Sequence, residues 1–234
     1  MREWYFGMMA IGAESLIELL GDDKEQRHWL ILEETGQTLS ALYSLSTTLD
    51  YEWLFQHTPY AGSLKRSPLV LRLDNASHEV RRAFEANPSN DTFRGIVISS
   101  RHSQDAVLAH LRHCLDVRFY GNRQAMLRYY HPAIAACLFS LNYHPNRQWL
   151  GPLDQWVWFE ATPQTQDNER LQWHALRDQA QADPAPPSQQ SPQPITLSSG
   201  QENALEQYIR AHQAQRTQHT LGARPTTVRE GSLT

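Results

Sequence analysis

Apolar positions along this chain switch between runs that suit strands and three-to-four-residue spacings that suit helices. Leu16, Ile17, Leu19 and Leu20 follow a Trp4-Tyr5-Phe6 cluster and predict a helix, or a short strand then a helix, that Gly21 stops. "HWLILEE" (His28 to Glu34) is a compact apolar run and reads as a buried strand. In "TLSALYSLSTTLDYEWLF", Leu39, Leu42, Leu45 and Leu49 carry helical spacing instead. Pro59 and Gly62 mark a loop before "SPLVLRLD", a second strand. "ASHEVRRAFEANP" predicts a helix capped by Asn75 or Ser77 and ended before Pro88, and "FRGIVISS" predicts a third strand.

"SQDAVLAHLRHCL" is the clearest helix: Ser103 is a suitable N-cap, Asp105 sits in the first turn, and Val107, Leu108, Leu111 and Leu115 share one side. "DVRFYGNRQAMLRYY" then reads as a hairpin turning at Gly121-Asn122, with Val117, Phe119, Leu127 and Tyr129 as candidate facing residues. Pro132 ends the second strand and fits the first turn of the helix "AIAACLFSL". After a Gly151-Pro152 turn, an aromatic segment through Trp156, Trp158 and Phe159 closes the core.

Beyond that segment the composition changes. Asp183 to Pro194, "DPAPPSQQSPQP", has the makeup of a linker that buries too little to fold alone. "TLSSGQENALEQYIRAHQAQ" has a Ser-x-x-Gln/Glu start and then Leu205, Tyr208 and Ile209 at helical spacing. A lone helix of that length is marginal, so it is expected to dock on the core or on a partner. The pattern therefore predicts an α+β protein, a mixed small sheet with packed helices plus a smaller helical C-terminal lobe. Its divisions are a core over 1–160, linker and lobe over 161–216, and a disordered tail over 217–234.

Charge removes some functions. The net charge is −4, and no basic block stands out, so nucleic acid is not an expected partner. Glu3 and Glu14 interrupt the opening apolar stretch and only one Arg leads it, which argues against a leader or a spanning helix and for a soluble cytoplasmic protein. Lys24 and Lys65 are the only lysines, so nearly all positive charge is Arg, which suits contact surfaces and equally fits simple codon bias.

Chemistry finds little to use. Cys114 and Cys137 are too few for a disulfide framework, and both lie in Leu- and Ala-rich helices where a free cysteine usually packs as a small hydrophobe. His113 adjoins Cys114, but neighbours on a helix point about 100 degrees apart and cannot form a thiol–imidazole pair. His110 and His113 stand three apart without further ligands, so a solvent-facing or capping role is expected of them, with no metal and no cofactor. No phosphate loop, nucleophile elbow or carboxylate pair is recognisable. The concentrated resource is aromatic: Phe119, Tyr129, Tyr130, Trp149, Trp156 and Trp158. Alternation sends about half of such side chains into a core and leaves the rest outside, where Tyr, Trp and Arg anchor interfaces.

The order of these features resembles the adaptor, or chaperone, family of bacterial type VI secretion. The resemblance runs from about Trp29 to Phe159, through "WLILE", "SPLVLRLD", "RGIVISS", "HLRHCLDVRFYGNRQAMLRYYHPAIAACLF" and "WLGPLDQW". His110-Leu111-Arg112, Arg128-Tyr129-Tyr130, Pro132 and Gly151-Pro152 match the family's local signature. His131 departs from it, standing where Asp is usual, and so does Ala133, where Arg is common.

The resemblance implies a non-enzymatic protein of a Gram-negative cytoplasm that binds a toxic effector and loads it onto the VgrG spike or its PAAR tip. The effector is then expected in a groove between core and lobe, with Arg128, Tyr130, His131, Trp149 and Tyr208 as contacts. An immunity protein that neutralises a toxin is the competing reading. A small Cys/His hydrolase, the remaining one, requires an exposed thiol of lowered pKa.

Overall fold

Two strands of the chain carry unbroken apolar runs, Trp29–Leu32 and Ile96–Ile98, and they explain the architecture. In the computed structural model, which describes residues 9–13, 15–73, 78–86, 88, 90–139, 147–165, 168–177 and 194–222, these strands lie near the centre of a seven-stranded sheet. The first part of the chain supplies β1 (Met9–Ala13), α1 (Leu16–Leu20), β2 (Arg27–Leu32), α2 (Thr38–Leu45), β3 (Tyr51–Trp53) and β4 (Leu69–Arg72). Then come α3 (His78–Ala86), β5 (Gly95–Ser100), α4 (Gln104–His113), β6 (Asp116–Phe119), β7 (Arg123–Met126) and α5 (Pro132–Phe139). The last part supplies β8 (Gln155–Thr165), β9 (Asn168–Arg177), β10 (Ile195–Thr196) and α6 (Ser199–Gly222).

The main sheet runs β1-β9-β8-β5-β2-β4-β3 with every neighbouring pair antiparallel. Side chains alternate between its faces, so Trp29 and Ile31 of β2 enter one core while Leu30 and Leu32 enter the other. The first core joins Ile96, Ile98, Trp156, Trp158 and Leu176 to α4 and α5; the second joins Val97, Val157 and Ala175 to Leu16, Leu42, Val80 and Phe84 of the first three helices. Burial on both faces removes the polar half of the usual strand pattern, which is why "HWLILEE" and "FRGIVISS" hold the unbroken apolar stretches Trp29–Leu32 and Ile96–Ile98. A second sheet of three strands, β10-β6-β7, lies beside the first core. The α+β class expected from the sequence is the class observed.

Several boundaries move. The core does not close at residue 160: β8 turns into β9, whose Trp173, Ala175 and Leu176 are buried, and β9 then pairs with β1. The hairpin's second strand ends at Met126, so Leu127 and Tyr129 lie beyond it; Tyr120 (φ 43°) and Gly121 (φ 84°) make the turn. Helix α2 stops at Leu45, where Ser46 turns extended, leaving Leu49 outside in the segment before β3. Helix α6 continues to Gly222, past Thr217, where the sequence predicts a disordered tail. The Trp4-Tyr5-Phe6 cluster, the Asn75 and Ser77 caps, Asp183 to Gln193 of the linker and residues 223–234 lie outside the described residues.

Other expectations hold to the residue. Gly21 (φ 68°) ends α1, and Ser103 accepts the Ala106 N–H as the cap of α4. Pro132 opens α5, where its missing N–H costs nothing. Helix α6 begins with a reciprocal capping box: Gln201 N–H donates to Ser198 Oγ at 3.3 Å and Ser198 N–H donates to Gln201 Oε1 at 3.0 Å.

Candidate partner-binding site

The turn that leads into α5 is fixed from below by aromatic packing. Tyr129 is fully buried, donates its hydroxyl to the Leu111 carbonyl at 2.8 Å, and meets Trp156 edge-on at 5.3 Å. Tyr130 is buried beside it, its hydroxyl pushed up to about 12 by burial. With both tyrosines pointing inward, the flanking Arg128 and His131 reach the surface side. The His131 N–H closes the turn on the Arg128 carbonyl at 3.0 Å.

His131 does the work that an Asp would do at that position. Its Nδ1 accepts the Ala133 N–H at 3.2 Å, so the imidazole caps the first turn of α5. An acceptor at Nδ1 requires the neutral ring with its proton on Nε2. The surroundings favour that form: burial, then Arg94, Arg128 and His212, lower His131 to about 4, and Asp91 opposes them weakly.

Around this cap runs a charged rim. Glu33, buried at the end of β2, accepts Arg94 Nε on Oε2 at 3.0 Å and pairs with Arg128 through Oε1. Arg94 also reaches Asp91 at 2.9 Å. From the far side α6 brings Tyr208, whose ring lies 6.3 Å from His131 and stacks on His212 at 5.8 Å.

Among the described side chains, helix α6 is attached through a handful of groups. Leu205 is its buried apolar anchor, a burial that contributes roughly 1.5–3 kcal/mol. Gln201 Nε2 donates to the Leu138 carbonyl at 2.9 Å, satisfying one of the unpaired carbonyls at the end of α5. Along its flank, Glu202 accepts the Tyr120 N–H at 2.5 Å and Glu206 accepts the Tyr120 hydroxyl at 3.2 Å, which pins the hairpin tip to the helix. Ile209, expected on the docked face, is half exposed.

Of the residues chosen from sequence, Arg128, His131 and Tyr208 come together at this rim. Tyr130 is beneath it and Trp149 is elsewhere: the Trp149 indole is fully buried against Phe139, edge-on at 5.6 Å. Neither buried side chain presents a face to a partner, which corrects their choice as contacts. Glu33, Arg94, Tyr120, Glu202 and Glu206 were not singled out; the i, i+4 spacing of the two α6 glutamates is the one signal of these in the sequence.

The histidine and cysteine readings also resolve. His110 is packed, not solvent-facing: its Nε2 bonds the Trp149 carbonyl at 2.9 Å, the same oxygen that accepts Trp156 Nε1 at 2.8 Å. Burial lowers His110 to about 4. Cys114 is fully buried and its thiol pushed up by burial; Cys137 is pushed up to about 11 by burial and by Glu160. Both shifts run opposite to thiol activation. Among the described residues no group of three or more His, Cys, Asp or Glu is placed to hold a metal ion.

A family model described as "Domain of unknown function (DUF4123)" matches residues 28–149, more than half of the chain. The chain belongs to this family. The matched stretch carries β2 through α5, and hence Glu33, Arg94, Arg128 and His131, and ends before β8, β9, β10 and α6. No curated protein and no solved structure matches the chain. Among the described residues no helix is long and apolar enough to cross a membrane.

The cap makes a pH prediction. His131 binds its proton in the folded protein only near pH 4, against about 6.5 when unfolded. Its contribution to stability is therefore complete above about pH 6.5 and is lost as pH falls toward 4, up to roughly 3 kcal/mol. Protonation also removes the Nδ1 acceptor and places a cation at a helix N-terminus beside two arginines. In urea unfolding at pH 7.5 and 5, His131→Asp, whose carboxylate caps and stays ionised at both, is expected to lose less stability than the parent chain. An equal loss in both would remove His131 as the cause.

Proposed function

We propose that this protein is a type VI secretion adaptor that binds a toxic effector in the cytoplasm of the producing cell and promotes its loading onto a VgrG or PAAR spike component. Membership of the family with the matching local signature supports this reading, and the observation that carries it is the rim at the start of α5. There an Arg–Glu–Arg cluster and a His–Tyr pair border an all-apolar helix, between the core and the α6 lobe. A rim of arginine and aromatic side chains around apolar surface is the composition of a protein interface.

The raised thiols and packed His110 favour a binding role over hydrolysis. The test is purification of a tagged copy from its native bacterium, with mass spectrometry of what is retained. An effector recovered with a VgrG or PAAR protein is the expected result. A toxin alone would favour an immunity protein, and recovery of neither would overturn the adaptor reading.

A further inference from the structure

We infer that α6 is a built-in occupant of the outer face of α5, and that an amphipathic helix of the partner binds by displacing it. The inference rests on the reading that the protein binds a partner polypeptide.

Helix α5, "PAIAACLF", has no charged or strongly polar residue on any side. One side, Ala135, Leu138 and Phe139, is in the core; the other, with Ala133, Ile134, Ala136 and Cys137, is only half buried. Helix α6 packs against α5, yet α5 lies inside the family-matched stretch and α6 outside it. The cover is thus a separate piece of chain laid over a surface of the family's domain.

Among the described side chains, the cover rests on a short set of contacts: Gln201 on the Leu138 carbonyl, Leu205, Glu202 and Glu206 on Tyr120, and Tyr208 at His131. Gln201 and Leu205 are the buried side chains of its first part, and Ile209 to Ala214 are all exposed. Its start is better anchored, because Ile195 of β10 is fully buried and pairs with Val117, and Leu197 is buried as well. Helix α6 therefore has a buried anchor just before Ser198 and an exposed stretch from Ile209 to Ala214, the arrangement of a flap.

What α6 satisfies specifies its replacement. The Leu138 carbonyl needs a side-chain donor where Gln201 stands, the α5 face needs a leucine-sized group four residues on, and the rim receives a third group where Tyr208 stands. At that third position α6 offers a ring against His131 and, one turn later, His212, while the half-exposed Arg128, paired with Glu33, also acts on His131. A carboxylate there would meet Arg128 and outcompete Tyr208. The partner segment is then a helix with an amide or similar donor, a leucine four residues later, and an Asp or Glu three residues after that.

A labelled synthetic peptide of residues 198–214 serves as the probe, added to the full chain and to a full-length Leu205→Asp variant that cannot keep α6 docked. Because a tethered helix competes at high effective concentration, the variant is expected to bind the peptide at least about tenfold tighter than the parent, and a Tyr208→Glu peptide tighter still. Equal binding to both chains would overturn the inference. Hydrogen exchange on the unmodified chain gives a second reading: amides from Leu205 to Ile209 should exchange well before those of β5. If they exchange only together with β5, α6 is part of the core and the displacement idea fails, while the adaptor reading, tested by recovered partners, is untouched.

Discussion

Trp149→Ala is expected to lower unfolding stability by about 3–5 kcal/mol, the usual cost of deleting a fully buried large aromatic side chain. The indole has no exposed surface and packs on Phe139, which in turn contacts Trp156 and Trp158. Its backbone carbonyl is the meeting point of the His110 and Trp156 donors, so the cavity would open beside the hydrogen bonds that hold the approach to β8. Urea unfolding followed by tryptophan fluorescence measures the change. A surface contact residue would behave differently, shifting stability by no more than about 0.5 kcal/mol. A result in that range would return Trp149 to the list of partner contacts.

Gly95→Ala is the second large effect. Gly95 opens β5 opposite Leu32, and a Cβ built there would lie 2.1 Å from the Ile31 carbonyl oxygen and 2.9 Å from the Leu32 side chain. The first obstacle is backbone of a neighbouring central strand and cannot turn aside as a side chain can. A loss of about 3 kcal/mol, the upper end of overpacking costs, is expected, with reduced soluble yield. Gly121→Ala is the control: it has open space around it but a φ of 84°, so it tests turn strain without crowding. If Gly95→Ala unfolds at the parent's midpoint, the β2–β5 spacing described above is wrong.

How well the chain can be read from its sequence depends on what each side chain meets. Strands β2 and β5 are legible because burial on both faces leaves runs such as Trp29 to Leu32 and Ile96 to Ile98 with no polar interruption. Strand β9 is not, since its Asn168-Glu169-Arg170 start belongs to the end of a long hairpin and reads as loop. Trp149 and Tyr130 were misplaced because alternation gives two faces without saying which is inside. Pro132 marks the start of α5 in the sequence, but the His131 cap beside it requires a geometry that spacing alone does not contain. Glu33 joins two arginines that lie 61 and 95 residues further along, a link only the folded sheet makes.

The strand order also bears on synthesis. Strand β5 is flanked by β2 on one side and by β8 on the other, and β8 and β9 lie after the family-matched stretch, while β1 precedes it. As the chain leaves the ribosome, β2 through α5 emerge with the Val97-Ile98-Ser99 edge of β5 unpaired and both its faces apolar. That edge stays open until residues 155–157 arrive, and β1 waits for β9 even longer. Unpaired apolar edges invite pairing with other chains. A fragment cut at residues 28 and 149 is therefore expected to offer the β5 edge to a second copy of itself.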